Sequence, residues 1–287
     1  MFGTHHSKMI IVIRHDDTAQ VIIHTANMIP FDWANMTQAL WRSPRLRKIS
    51  DSDTSSEHQP APKMGSGSKF KIDLLNYLKG YDTRRTICKP LIEQLTNYDF
   101  SEVRAALVAS VPGRQGLGDS ETSWGWAGLK DVLSSVPVQD VTEPEIVTQV
   151  SSIATLGPND NWLEKTFFKA MKTSRNRTTT NPKFRIIFPT ADEIRRSLNG
   201  YSSGSAIHTK IQSAQQVKQL KYLKPLFSHW AGDVGEYNQG MYFHVRLFRL
   251  GLIACSFFGN GVRCWKTKSG ATHQIIRSIC RYRSVLD

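Results

Sequence analysis

Short apolar runs alternate along the chain with stretches in which apolar residues recur every three or four positions. The short runs predict strands over residues 9–13, 21–24, 38–41, 104–111, 146–153 and 184–188. The three-to-four-residue spacing predicts amphipathic helices over residues 70–78, 87–95, 127–136, 162–171, 191–198 and 215–229. Asp32 is predicted to cap a short helical turn after the second strand. Strands that alternate with helices indicate an α/β fold.

A polar segment and a tight turn interrupt this pattern. Residues 50–68 are rich in Ser, Pro and Gly and have almost no side chains to bury, which predicts a flexible surface loop. The Pro-Gly-Arg turn at 112–114 follows a strand and predicts a domain boundary. We therefore expect a partial N-terminal domain over 1–113, a partial C-terminal domain over 114–233, and a tail of different composition over 234–287.

The composition excludes several classes of protein. Apolar residues make up 40% and charged residues 21%, which is typical of a globular chain rather than a disordered one. No apolar run approaches the ~18 residues that cross a bilayer, and the four cysteines have neither a zinc-site spacing nor a disulfide-like framework. The 37 Lys and Arg against 24 Asp and Glu give a net charge of +13. Such a charge favours a polyanionic partner: nucleic acid, an anionic membrane surface or a phosphorylated substrate.

A histidine and a lysine two positions apart precede the first predicted strand. Because side chains two apart on a strand share a face, His6 and Lys8 would project together. Asn27 follows the returning strand, and Gln38 lies on the next element. An imidazole can attack phosphorus while an ammonium and amides bind the oxygens that gain charge, which is phosphoryl chemistry without a metal. The pattern leaves open an alternative, namely a surface His and Lys at a strand start and an Asn in a turn.

Three linked segments carry a family resemblance. They read FGTHHSKM at 2–9, IHTANMI at 23–29 and DW at 32–33. Together they resemble tyrosyl-DNA phosphodiesterase, a branch of the phospholipase D superfamily, and most of all a fungal member. Weaker similarity extends the resemblance to residue 233. It implies a phospholipase D-like α/β fold: mixed sheets flanked by helices, in two pseudo-symmetric domains that are both incomplete here.

The resemblance implies a catalytic set. His6 resembles the nucleophile of a phosphohistidine intermediate. Lys8 and Asn27 resemble the ligands of the phosphate, and Gln38 resembles a residue behind them that orients the site. Ile13 stands where most of the superfamily has an acid, and Asn27 matches the Asn that the tyrosyl-DNA branch uses instead. This substitution disfavours a lipid substrate and a membrane partner.

A second set resembles the contacts that the family makes to DNA. Phe2 resembles an aromatic residue that stacks on a base, a contact that tolerates any sequence. Ser151, Ser152 and Thr155 resemble a hydroxyl loop that binds backbone phosphates. Without the resemblance, Phe2 is simply an apolar terminus and the three hydroxyl residues are a polar strand end.

The resemblance also implies an activity and a partner. The activity is hydrolysis of 3′ phosphodiesters that join DNA to tyrosine or to another blocking group, in DNA repair in the nucleus. The expected partner is single-stranded or nicked DNA with a blocked 3′ end, such as one that carries a topoisomerase-derived peptide. No metal and no other cofactor is expected.

The sequence departs from the family pattern in two places. It begins at the motif, so strands that precede the motif in family members are expected to be missing. The second His-x-Lys set of the family is not recognisable in its expected place. His244 is followed two positions later by Arg, and His208-Thr209-Lys210 leads into a Gln-rich stretch, which indicates a structural or substrate-facing segment. The change in composition after residue 233 suggests the hypothesis of a shifted reading frame, a retained intron or another gene-model fault.

These departures leave three hypotheses. The first is a phosphodiesterase of this family that is impaired because its second half-site is missing. The second is a non-catalytic remnant that binds single-stranded DNA. The third is a half-site phosphodiesterase that is active only as a dimer, with two copies of His6 and Lys8 facing each other.

Overall fold

The chain forms two units in the computed structural model. The model describes residues 7–34, 40–50, 62–81, 88–111, 122–136, 145–175 and 181–230, except 151, 154, 198 and 210, and the strands at 253–258, 261–263 and 282–284. The first unit comprises Met1–His24, Leu40–Pro137 and Leu250–Trp265. The second comprises Thr25–Ala39, Val138–Arg249 and Lys266–Asp287.

Strands and helices occur in both units. The strands, in chain order, are β1 (Met9–Ile13), β2 (Thr18–His24), β3 (Leu40–Arg42), β4 (Leu46–Arg47), β5 (Ala105–Val108), β6 (Glu145–Gln149), β7 (Ser152–Ile153), β8 (Lys183–Ile187), β9 (His208–Thr209), β10 (Phe227–Trp230), β11 (Ile253–Phe258), β12 (Gly261–Arg263) and β13 (Tyr282–Ser284). The α-helices are α1 (Pro30–Ala34), α2 (Gly67–Tyr81), α3 (Lys89–Thr96), α4 (Gly125–Ser134), α5 (Lys169–Met171), α6 (Ala191–Arg195) and α7 (Ala214–Leu223). A π-helical segment lies at Leu163–Phe168, and 3₁₀ segments lie at Gly200–Ala206 and Lys224–Leu226. The α/β class predicted from the sequence is confirmed.

An antiparallel hairpin follows the His-x-Lys motif in the first unit. β1 and β2 pair with Met9 opposite Ile23. The Asp16 carboxylate shapes the turn between them, because it accepts hydrogen bonds from the Thr18 N–H at 3.2 Å and the Thr18 hydroxyl at 2.6 Å. Asp17 adopts a φ of 54°, a region that Asp tolerates better than most residues. β3 and β4 both pair with β2 and complete a four-stranded sheet.

The apolar face of α2 and the buried side of β2 belong to one hydrophobic core. Phe70 and Leu74 of α2 and Val21 of β2 are completely buried. Burial of each side chain of this size contributes about 1.5–3 kcal/mol. α2 begins at a close approach, because a Cβ on Gly67 would lie only 1.7 Å from the carbonyl oxygen of Phe100. A side chain at that position would therefore displace the start of the helix.

A second sheet of the first unit has the antiparallel order β12-β11-β5. The segment before α4 is attached to the same unit, since the Gly125 N–H donates to the Ala109 carbonyl at 2.8 Å. The Thr122 hydroxyl also donates to the Asp73 carboxylate of α2, at 2.8 Å. The contacts therefore extend the first unit to Pro137. The turn at residues 112–114, where a domain boundary is predicted, lies outside the described residues, so that boundary stays a prediction.

The second unit is built on a largely parallel sheet. β8 pairs in parallel with β6 and with β10, and β13 joins antiparallel to β10. Aromatic side chains pack against each other in this unit. The rings of Phe168 and Phe184, for example, stack with centroids 3.8 Å apart. β7 and β9 form a separate parallel ladder in which Ser152 is opposite His208.

The predicted helix at 215–229 is wrong in its second half. α7 ends at Leu223, a 3₁₀ turn that contains Pro225 follows, and residues 227–230 form β10. Proline has no N–H to donate and blocks continuation of an α-helix. In β10, Phe227 and Ser228 instead pair with β8, and Ser228, His229 and Trp230 pair with β13.

Two further predictions for this unit change in detail. The strand predicted at 146–153 is two short strands, β6 and β7. The helix predicted at 162–171 is present, but its first part is π-helical. Thr190 caps α6: its hydroxyl accepts the Glu193 N–H, and the Glu193 carboxylate accepts the Thr190 N–H in return. No helix within the described ranges is long and apolar enough to cross a bilayer.

Candidate functional site

The described part of the His-x-Lys motif lies at one edge of the first sheet. Lys8 immediately precedes β1, and its carbonyl accepts the N–H of His24, the last residue of β2, at 3.1 Å. The backbone of Lys8 is therefore fixed by the hairpin. His6 itself lies outside the described residues, so its predicted role as nucleophile stays a prediction.

Ser7, between the two motif residues, faces the core. Its hydroxyl is buried, has no hydrogen bond of ordinary geometry in the described part of the chain, and lies close enough to the Tyr77 phenol to affect its pKa. Burial raises the pKa of Tyr77, the Ser7 hydroxyl partly opposes that rise, and Cys88 adds to it. Because side chains alternate along an extended chain, we expect Lys8 to lie on the side opposite Ser7.

Asn27 is fixed by a buried carboxylate within the second unit. Asp32 is completely buried, and its Oδ2 accepts the Asn27 backbone N–H at 2.7 Å and the Asn27 side-chain Nδ2 at 2.8 Å. The Trp33 indole Nε1 donates to the Asn27 carbonyl at 2.8 Å. An amide nitrogen carries two hydrogens, so one remains for a ligand.

The position of Asp32 corrects one sequence prediction. Asp32 is the third residue of α1 rather than its cap, and it contacts Asn27 five positions earlier. The spacing from Asn27 to Asp-Trp was visible in the sequence, but the contact depends on how the turn folds. Four apolar side chains around this turn are exposed to solvent: Met28, Ile29, Phe31 and Trp33.

The predicted hydroxyl loop is only partly described. Thr155 is exposed, Ser152 lies in β7 with its side chain outside the described set, and Ser151 lies outside the described residues. Phe2 and Gln38 also lie outside them. The structure therefore describes the side chains of Lys8, Asn27 and Thr155 among the predicted site residues.

α7 fastens the loop at 155–157 through three side chains. Gln216 Nε2 donates to the Thr155 hydroxyl at 3.2 Å, and Gln219 Oε1 accepts the Leu156 N–H at 2.8 Å. The Tyr222 hydroxyl donates to the carbonyl of Gly157 at 3.0 Å. Burial raises the pKa of Tyr222, and the nearby Asp160 raises it further. Sequence reasoning missed these three residues, whose spacing of three places them along one side of α7.

His208 and Thr209, which precede the Gln-rich stretch, form β9, and this strand pairs in parallel with β7. Within the described residues, no group of three or more His, Cys, Asp or Glu side chains could ligate a metal.

Comparison with known proteins identifies the family. The family model described as tyrosyl-DNA phosphodiesterase matches residues 1–250. The chain belongs to the tyrosyl-DNA phosphodiesterase family. The matched region leaves residues 251–287 outside the family model.

The chain is also similar to individual members of the tyrosyl-DNA phosphodiesterase family. The probable tyrosyl-DNA phosphodiesterase of Schizosaccharomyces pombe is 30% identical over 279 residues, which cover 78% of this chain and 49% of the relative. Tyrosyl-DNA phosphodiesterase 1 of Drosophila melanogaster is 32% identical over 217 residues, covering 72% of this chain and 35% of the relative. The chain spans about half or less of the length of the curated relatives it matches.

The solved structures show the same fold. The crystal structure of the yeast tyrosyl-DNA phosphodiesterase superposes with a TM-score of 0.61 at 18% identity, covering 88% of this chain and 57% of the yeast chain. This likeness supports the phospholipase D-like α/β fold expected from the resemblance.

Proposed function

We propose that this chain carries one half-site of a tyrosyl-DNA phosphodiesterase, which acts on the 3′ phosphodiester between DNA and a tyrosine or another blocking group. An imidazole nitrogen of His6 attacks phosphorus, the tyrosyl oxygen leaves, and a phosphohistidine that carries the DNA strand forms. Water then attacks the same phosphorus and releases free His6 and DNA with a 3′ phosphate. Lys8 and Asn27 donate to the nonbridging oxygens. The role in DNA repair in the nucleus is part of this proposal.

The fixed amide of Asn27 is the observation that carries the proposal. Asp32 binds its backbone N–H and one side-chain hydrogen, which leaves the second amide hydrogen in a set direction. Donors that are oriented before the ligand arrives stabilise developing negative charge without reorganisation. In sequence, Asn27 follows the end of β2 by three residues, and the backbone carbonyl of Lys8 accepts the N–H of the last residue of that strand.

A lone half-site predicts incomplete turnover. A positioned general acid or base contributes about 10²–10⁴ in rate, and in the family it comes from a second His-x-Lys set that this sequence does not show. A phenolate leaves readily, so the first step should proceed. Hydrolysis of the phosphohistidine should then be slow. We expect a sub-stoichiometric burst of tyrosine followed by negligible turnover.

The test uses a 5′-labelled oligonucleotide that ends in a 3′ phosphotyrosine. The wild-type chain should retain acid-labile label after denaturation, and His6→Ala should retain none. Lys8→Ala and Asn27→Ala should acquire the label more slowly than the wild type. His15→Ala is the matched control, because His15 is an exposed imidazole in the β1–β2 turn. Equal label on His6→Ala and on the wild type would refute the assignment of the nucleophile.

A non-catalytic single-stranded DNA-binding protein is the second candidate function. The net charge of +13 and the ordered loop with the exposed Thr155 favour it. It predicts affinity for oligonucleotides that falls steeply with salt, because phosphate binding releases counterions, and no label on His6. A half-site dimer predicts instead that the rate of labelling rises more than linearly with chain concentration.

A further inference from the structure

The side chain of Gln216 has a defined orientation. Its Oε1 accepts two backbone hydrogen bonds at the start of α7, from Gln212 at 2.9 Å and from Ser213 at 3.1 Å. Only an oxygen can accept both, so the nitrogen of the amide must be the atom that faces Thr155. Gln216 Nε2 is accordingly the donor to the Thr155 hydroxyl, at 3.2 Å.

This orientation determines how Thr155 can interact with a ligand. A hydroxyl that accepts a hydrogen bond still has its own hydrogen to donate. Thr155 is exposed, and among the described residues the bond from Gln216 is its only hydrogen bond. Its hydrogen is therefore available for an acceptor in solvent. Gln219 and Tyr222 fix the backbone of the next two residues, which limits movement of the hydroxyl.

We propose that Gln216 is a positioning residue that makes the Thr155 hydroxyl a donor to a phosphate oxygen of a bound nucleic-acid backbone. This inference rests on the proposed function, which supplies the nucleic acid. It assigns a polarity to the contact: the loop donates and the ligand accepts. Phosphate oxygens only accept hydrogen bonds, so the polarity suits a phosphodiester backbone.

Gln216→Glu reverses this polarity while preserving the helix cap. One carboxylate oxygen can still accept the N–H groups of Gln212 and Ser213, and the other now faces Thr155 and accepts its hydrogen. The Thr155 hydrogen then points away from the ligand. We expect the full chain to bind a fluorescein-labelled 12-nucleotide single strand about tenfold more weakly, as for the loss of a charge-assisted hydrogen bond.

Two controls separate polarity from added charge. Gln215→Glu adds the same charge at an exposed neighbouring position and should change affinity less than about twofold. In a Thr155→Val background, Gln216→Glu should have almost no further effect, because the hydroxyl through which it acts is gone. Thr155→Val alone should weaken binding about tenfold, and Thr155→Ser should restore it.

The outcomes are distinct. A tenfold loss that disappears in the Thr155→Val background, with an unchanged slope of log affinity against log salt, supports the inference. A loss of affinity that persists in the Thr155→Val background, or a changed salt slope, shows an effect of the added charge and overturns the inference. If the wild type binds the oligonucleotide and both Gln216→Glu and Thr155→Val bind it equally well, the inference is overturned but the proposed function is not. A wild-type chain that binds no oligonucleotide overturns it together with the proposed function.

Discussion

The turn at Asn27 and the loop at Thr155 both carry predicted ligands of phosphate, but they are fixed in different ways. Asn27 is bound by a carboxylate five residues later in the chain. Thr155 is bound by a helix residue 61 positions later. The first arrangement is a local turn that forms with its own sequence, whereas the second exists only once α7 has packed against the loop. Substitutions should therefore act on the two regions independently, which the following variants test.

Asp32→Ala should have the largest effect. It removes the acceptor of two Asn27 donors, and a buried donor left without a partner costs about 1–3 kcal/mol. We expect the free energy of unfolding to fall by about 3 kcal/mol in urea denaturation. Asp32→Asn is the matched control, because its amide oxygen can still accept a hydrogen bond. For this variant the free energy of unfolding should fall by about 1 kcal/mol. Equal losses for both variants would mean that the charge, not the acceptor, stabilises the turn.

Gln219→Met should have a smaller effect that is confined to the other region. The side chain keeps its length and burial but loses the acceptor of the Leu156 N–H. We expect a loss of about 1.5 kcal/mol in the free energy of unfolding. Amide hydrogen exchange should quicken at Leu156 and remain unchanged at Asn27, and Asp32→Ala should show the reverse. Faster exchange at both amides in either variant would show that the two regions are coupled.

Alkaline pH should destabilise the fold through two tyrosines, Tyr77 of α2 and Tyr222 beside the loop at Thr155. Burial raises the pKa of Tyr77 and of Tyr222 above the ordinary value of 10.0. The folded state therefore favours the neutral phenol. Its contribution to stability is complete below about pH 10 and is lost as the pH rises through the pKa of the folded state. Unfolding by urea from pH 8 to 11 should show this loss, and Tyr77→Phe should reduce it more than Tyr222→Phe, since Tyr77 is the more deeply buried phenol. A pH profile that neither variant changes would contradict the expectation.

Trp33→Phe should have the smallest effect. It removes the indole donor to the Asn27 carbonyl, but Trp33 is 46% exposed, so water can replace that donor. We expect a change of about 0.5 kcal/mol in the free energy of unfolding. A loss comparable to that of Asp32→Ala would show that the indole, not the carboxylate, determines the turn.

Local features of the site could be predicted from the sequence. The apolar runs at 9–13 and 21–24 correspond to β1 and to the second half of β2, because β-branched residues in short runs favour strands. The family is confirmed, whereas the roles that the motif implies for Lys8 and Asn27 stay predictions. The helical spacing at 70–78 corresponds to the apolar side of α2.

Features that depend on distant contacts could not be predicted. Nothing in the spacing of Gln216, Gln219 and Tyr222 indicates a loop some sixty residues earlier. The helical pattern continued past Pro225, although the residues after it gain more from pairing with β8. The buried contacts of Asp32 required the path of the turn, which periodicity does not specify.

The pairing of β5 has a consequence for synthesis of the chain on the ribosome. β5 is a short, completely buried apolar strand, and its partner β11 lies about 145 residues later. At translation rates of about 5–20 residues per second, roughly 7–30 s pass before that partner is made. During this interval the apolar strand exposes an open edge that can pair with other chains. Slower elongation after residue 108 should therefore increase aggregation of the nascent chain, and a chaperone that binds apolar extended segments should reduce it.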